Sequence, residues 1–236
     1  MSEGGIRVVA VERLDLRYEP RAWPWAEENR ARIDRHFAKA RAERPALWNG
    51  RVLILHRFAI EAATFRGAYL ETDFASFLTW RDEGFADPSV KNCFAAGALR
   101  AADGAFLLGR MAKHTANAGK IYFPAGTPDP SDVRPDGAVD LAASVLRELT
   151  EETGISAGEI APAPGWRAVI AGARIALMRP LRSSEPAEKL VARIRAFIAR
   201  EKQAELEDIV VIRSPADFLP AMPDFVRAYL ESEWNS

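Results

Sequence analysis

Cysteine is nearly missing from this chain: Cys93 is the only one in 236 residues, so no disulfide can form within it. It sits in VKNCFAAGAL among small and apolar neighbours with no histidine nearby, the setting of a buried structural thiol rather than a nucleophile. Histidine is scarce too, three in all, and no His/Cys spacing suggests zinc. An excess of one charge is also lacking. Lys plus Arg number 32 against 33 Asp plus Glu, and a net charge of −1 excludes the broad basic field that gathers nucleic acid or an acidic membrane surface. No apolar run reaches the roughly eighteen residues needed to cross a bilayer. The richest segment, Trp166 to Leu181, is broken by Arg167, Gly172, Arg174 and Arg179. The N-terminal MSEGGIRVVAVERLDL lacks the apolar run and cleavage site of a secretory signal, so a cytoplasmic protein is expected. No G-x-x-x-x-G-K-[ST] loop occurs, which removes P-loop chemistry.

What is present is an ordinary globular composition, 48% hydrophobic and 28% charged. The length corresponds to about 1.6 average domains, one enlarged domain or a domain with a companion. Mixed α and β signals run along it. IRVVAVERLDL reads as a short extended piece, and Pro24 to Ala42 as one helix with Trp25, Ile33, Phe37 and Ala40 near one face. Arg51 to His56 reads as a strand, and ETDFASFLTWRDEG as a helix capped by Asp73 and stopped by Gly84. Two apolar runs about Asp103-Gly104 predict a hairpin, with KIYF as a further strand. Asp140 to Thr153 reads as a helix and Trp166 to Arg179 as one or two strands. A long amphipathic helix is expected from Pro186 to about Glu205, its stripe Leu190, Ile194, Phe197 and Ile198 packing on its own sheet or in a homodimer. DIVVI is a strand, followed by one or two helices divided by Pro220 and Pro223. Turn residues between Asp82 and Val90 suggest a boundary, giving an N-terminal extension over 1–89 and a domain over 90–236.

Chemistry concentrates in RELTEETGI. Glu148, Glu151 and Glu152 lie at i, i+3 and i+4, so a helix gathers three carboxylates on one face. Such charges repel unless a hard cation such as Mg²⁺ neutralises them, since it takes oxygen ligands from carboxylates, water and substrate phosphate. Ala142, Leu146 and Leu149, with Val145 flanking, form the apolar side that would hold the helix still, and Gly154 suits its C-terminus. On spacing alone, a solvated acidic face with an Arg147–Glu151 ion pair explains the segment equally well.

The wording of the segment breaks that tie. RELTEETGI resembles the second half of the Nudix box, G-x5-E-x7-R-E-U-x-E-E-x-G-U with U aliphatic, and YFPAGTPD resembles the strand and loop that lead into it. Here Ala125 replaces the first glycine of that loop and Gly126 aligns with the second. The loop PDPSDVRPDGAVD is longer than the family spacing, and Val139 occupies the place of the first box glutamate, for which Asp136 or Asp140 could substitute.

The resemblance implies an α/β (α+β) fold, a Nudix-type mixed sheet sandwiched between helices, with the N-terminal extension setting substrate. It implies hydrolysis of a small-molecule nucleoside diphosphate derivative with Mg²⁺ or Mn²⁺ held by Glu148, Glu151, Glu152 and the carbonyl of Ala125, and Arg147 orienting the glutamates. The family also uses a variably placed acid outside the box, for which Glu159, Glu185, Glu205 and Glu207 are equal candidates. Lys113 and His114 in RMAKHTANAGK are candidates for substrate contact. The layout WNGRVLILHRF, GAYLETDFASFLTWRD, FPAGTPDPSD is similar to the branch acting on UDP-sugars, which puts an NDP-sugar first and coenzyme A or a dinucleotide second. The alternatives are a catalytically silent ligand-binding module of the same fold and an interaction scaffold without metal dependence.

Overall fold

The first extended stretch of the sequence serves two sheets. In the computed structural model, which describes residues 5–235, IRVVAVERLDL splits into β1 (Arg7–Val11) and β2 (Arg13–Tyr18). The expected single helix is likewise two, α1 (Pro24–Glu28) and α2 (Arg30–Glu43). Asn29 divides them, its side-chain amide donating to the Trp25 carbonyl at 2.8 Å, a local bond that competes with a continuous helix. A long hairpin follows, β3 (Arg51–Glu61) and β4 (Thr64–Asp73), then α3 (Phe74–Asp82). The Asp73 side chain accepts from the Ser76 N–H at 2.9 Å, the expected cap. The hairpin turn is made by Ala62 and Ala63 at φ 45° and 56°, a backbone region usually given to Gly or Asn, so no turn residue announces β4.

The chain continues through β5 (Asn92–Arg100), β6 (Phe106–Met111), β7 (Ile121–Tyr122), β8 (Ala125–Gly126), α4 (Leu141–Thr153) and β9 (Ile160–Pro162). It closes with β10 (Trp166–Ala171), β11 (Arg174–Ser183), α5 (Ala187–Ile198), β12 (Leu206–Ile212) and α6 (Asp224–Trp234). Strand order in the large sheet is β1-β10-β11-β5-β6-β12, with β11 and β5 parallel over Arg174–Arg182 and Asn92–Arg100. A second sheet has the order β2-β4-β3.

Side chains on the large sheet alternate between two cores. On one face Ala95, Leu99, Ile175 and Leu177 pack with Val145 and Leu149 of α4 and with Leu190 and Ile194 of α5. On the other, Ala96, Ala98, Ala176 and Met178 pack with Phe225, Tyr229 and Leu230 of α6. This is a mixed sheet between helices. The stripe of α5 is spent on its own core, and that helix ends at Ile198, earlier than its periodicity suggests, so that the chain can turn into β12. On either side of Pro220 and Pro223 stand a short 3-10 helix, Pro215–Asp217, and α6. Cys93 is buried, the Tyr69 hydroxyl donates to its carbonyl at 3.2 Å, and burial pushes its thiol up to about 12, as suits a structural cysteine.

The segment before residue 90 has an aromatic core of its own, with Trp23 packed on Trp25, at 4.9 Å between ring centres, and on Trp80, at 5.9 Å. It is also joined to the rest: Leu53, Leu55, Phe65 and Tyr69 share one core with Leu149 and Leu177, and β1 is an edge strand of the large sheet. Residues 1–4 and 236 lie outside the described residues, so the first four residues of the expected extension do too.

Candidate active site

Helix α4 is fixed at both ends. The Asp140 side chain accepts from the Ala143 N–H at 3.0 Å, and Gly154 takes φ 69°, the left-handed conformation that ends a helix. Along its length the helix presses on β5 so closely that a Cβ at Gly97 would lie 3.2 Å from Val145 Cγ1 and 2.9 Å from Leu181 Cδ1. Burying Leu141, Val145 and Leu149 sets the rotation of the helix, and with it the depth of each glutamate.

The three carboxylates end in different surroundings. Glu152 is buried, 5% exposed; its Oε1 accepts from the Ala125 N–H at 3.2 Å, while its Oε2 is buried with no hydrogen-bond partner. Burial first, then the charges of Glu205 and Glu148, raise its pKa well above the carboxylate range. Glu148 is half-buried, and burial lifts it to about 7 against the pull of Arg147, with Glu151 adding repulsion. Glu151 is exposed. The backbone of β8 fits under this group: a Cβ on Gly126 would stand 2.2 Å from Glu148 Oε1, so only a glycine leaves room for the carboxylate. Gly126→Ala is therefore expected to displace Glu148 and reduce turnover about a hundredfold, with far-ultraviolet circular dichroism unchanged. Kinetics close to wild type would show that Glu148 is not needed where it stands.

Arg147 does not pair with Glu151. Its Nη1 donates to Asp132 Oδ1 at 2.7 Å, and its Nη2 to Glu148 Oε1 at 3.2 Å and Ser144 Oγ at 3.3 Å. Asp132, with its side chain 1% exposed, also accepts from the Asp129 N–H at 3.1 Å and from Ser144 Oγ at 3.4 Å. Arg147 and Ser144 thus gather on Asp132, from the inserted part of the loop, and not on Asp136 or Asp140. Asp136 accepts from the Ala138 N–H at the surface, and Asp140 caps α4 and binds Arg134. Asp132 escaped sequence reading because it lies in the inserted part of the loop, where box spacing gives no register. The available signal was D-P-S-D, which folds as a reciprocal cap between Asp129 and Asp132.

A cavity of about 470 Å³ opens beside the box, lined by Glu148, Ala125 and Gly126 on the box side. Phe74, Phe77 and Arg81 of α3 also line it, as do Lys120, Arg174 and Glu205. Of the four acids outside the box, Glu205 alone lines this cavity. Glu159 is bound to Arg193 and Ser156, Glu185 to Lys189 and Arg193, and Glu207 faces Arg110 at 3.8 Å. Lys113 and His114 are exposed and outside the lining, to which the same loop contributes Thr115, Asn117 and Lys120.

The donors suit a hard cation, because Glu152 Oε2 lacks the partner that a buried carboxylate oxygen requires, and Glu148 and Glu205 add further oxygen donors. Among the described residues no three His, Cys, Asp or Glu side chains already form an ion-holding cluster, so the fit rests on that unsatisfied oxygen and on the donor chemistry.

No family model and no curated protein matches the chain. Many solved structures are similar to parts of it, three of which follow. A Nudix hydrolase from M. smegmatis, RenU, is 15% identical over 61% of this chain and 82% of its own, with a TM-score of 0.38. A MutT protein from Methanosarcina mazei is 22% identical over 62% and 96%, with a TM-score of 0.41. A Bacillus subtilis pyrophosphohydrolase, RppH, is 15% identical over 74% and 80%, with a TM-score of 0.28. In the wording of its box, and in the strand, loop and helix that carry it, this chain is similar to the Nudix hydrolases.

Proposed function

We propose that this chain is a Nudix-type hydrolase that cleaves the diphosphate bond of a nucleoside diphosphate linked to another group, with Mg²⁺ or Mn²⁺. The observation that carries the reading is Glu152: a buried carboxylate with one oxygen unsatisfied, beside Glu148 and under the influence of Glu205. Leaving such a group unpaired is costly, and a divalent cation with a phosphate ligand removes the cost. Glu148 and Glu152 would hold the cation, with Glu151 at the exposed rim and the Ala125 carbonyl as a backbone donor. When bound, it screens the diphosphate and lowers the pKa of water. Arg147, anchored on Asp132, fixes Glu148 from outside the cavity. Glu205 is the acid available to take a proton from attacking water.

An NDP-sugar is the first substrate to test, and coenzyme A or a dinucleotide the second. The contribution of Phe74, Phe77 and Arg81 to the cavity supports a substrate-determining role for the segment over 1–89. Incubation with a panel of these compounds, with and without Mg²⁺ or Mn²⁺, should give a nucleoside monophosphate, or adenosine 3′,5′-bisphosphate from coenzyme A, only with metal. Glu205→Gln should lower kcat about a hundredfold with little change in KM. Ligand binding without turnover of any compound would move the assignment to a silent binding module, and a scaffold would neither bind nor respond to metal.

A further inference from the structure

Arg174 begins β11, beside Asn92 of β5, and lines the same cavity as Glu148. The other guanidinium groups near the site are satisfied: Arg147 by Asp132, and Arg81 by Asp82 at 2.9 Å. Among the described residues the Arg174 side chain has no hydrogen bond or ion pair. Its contacts are aromatic, with the guanidinium carbon 5.5 Å from the centre of the Phe85 ring and 5.8 Å from that of Phe225. Phe85 is held at φ 62°, a left-handed conformation that an aromatic residue rarely adopts, and its N–H donates to the Trp80 carbonyl at 2.8 Å. Phe225 is fixed in turn by an edge contact with Phe94 at 5.6 Å.

A guanidinium taken partly out of water normally gains charge-assisted hydrogen bonds in exchange. Arg174 gains none, and both burial and the charge of Arg81 act against its protonated form. The two rings offer cation–π attraction, but they accept no N–H bond in the plane of the group and leave its N–H fork free for a ligand.

We propose that Arg174 is a specificity-determining residue that receives a phosphate group of the substrate in this cavity, its fork presented by Phe85 and Phe225. The choice of phosphate as the anion rests on the diphosphate-hydrolase reading. The free N–H fork rests on geometry alone.

The test is calorimetric titration of inorganic pyrophosphate, with malonate in parallel, into the full chain in EDTA, which removes any cation from the carboxylates. The expected result is pyrophosphate binding that weakens at least about tenfold in Arg174→Met and about threefold in Arg174→Lys, which keeps charge but loses the planar fork. Arg174→Met should melt at or above the wild-type temperature, because it removes an unpaired charge. An arginine with only a structural role would give the opposite pattern, a lower melting temperature and unchanged affinity. If Arg174→Met does not fold, Arg174→Lys carries the comparison. Unaltered affinity in the variants, no pyrophosphate binding by the wild type, or tighter binding of malonate would overturn the proposal. Arg174-dependent pyrophosphate binding with no hydrolysis of any nucleoside diphosphate would sink the hydrolase and leave the phosphate receptor standing.

Discussion

Glu152→Gln is expected to abolish metal-dependent hydrolysis, by about 10²- to 10⁴-fold in kcat, while making the metal-free protein more stable. The two effects share a cause. Glu152 is buried, one of its oxygens lacks a partner, and Glu205 and Glu148 repel its charge. Glutamine keeps the bond from the Ala125 N–H through its carbonyl and removes the charge. In a chain of this size each kcal/mol relieved raises Tm by about 2–4 °C. The same carboxylates set a pH dependence in EDTA. Glu148 titrates at about 7 when folded against an ordinary 4.5, so its contribution is full below about pH 4.5 and is lost as pH rises toward 7. Glu152, raised as well, acts in the same direction. Stability should therefore fall across that window without metal, and the fall should flatten in the Glu148→Gln/Glu152→Gln double variant. Scanning calorimetry from pH 4.5 to 8 measures it; an equal slope in the double variant would show that the burden lies elsewhere.

Asp132→Asn should destabilise the chain by about 1–2 kcal/mol, because a buried acceptor loses its charge-assisted bond from Arg147, a loss that solvent screening of the 35% exposed arginine moderates. The side chain of Asp132 is 1% exposed, and it gathers Arg147, Ser144 and the Asp129 N–H, tying the long loop to α4. Arg147 would then hold Glu148 alone, and turnover should drop with stability. Urea unfolding gives the first quantity, and kcat measured well below the transition gives the second. Asp136→Asn, at an exposed position of the same loop, should change neither by more than about 0.5 kcal/mol. Comparable losses in the two variants would remove Asp132 from the position assigned to it.

Much of the fold is written in local pattern. The apolar runs of β5 and β11, the caps at Asp73 and Asp140, and the stripe of α5 all follow from local composition, period and end chemistry. Pattern misleads where local chemistry is silent. The β3–β4 turn uses two alanines, α2 is separated from α1 by a side-chain bond of Asn29, and IRVVAVERLDL gives no sign that Glu12 divides two sheets.

The box glutamates and Arg147 stand at fixed spacing on one helix, so sequence alone determined that they would be neighbours and that a cation could link them. Spacing cannot assign depth. That Glu152 is buried and unsatisfied while Glu151 is exposed depends on how α4 rolls against β5 and β8. That Asp132 anchors Arg147 depends on the path of a loop with no period. The selection of Glu205 from four acids, and the placement of Arg174 between two rings, join residues far apart in the chain. Contacts of that kind are decided by packing of the whole core, to which no local run of residues is a guide.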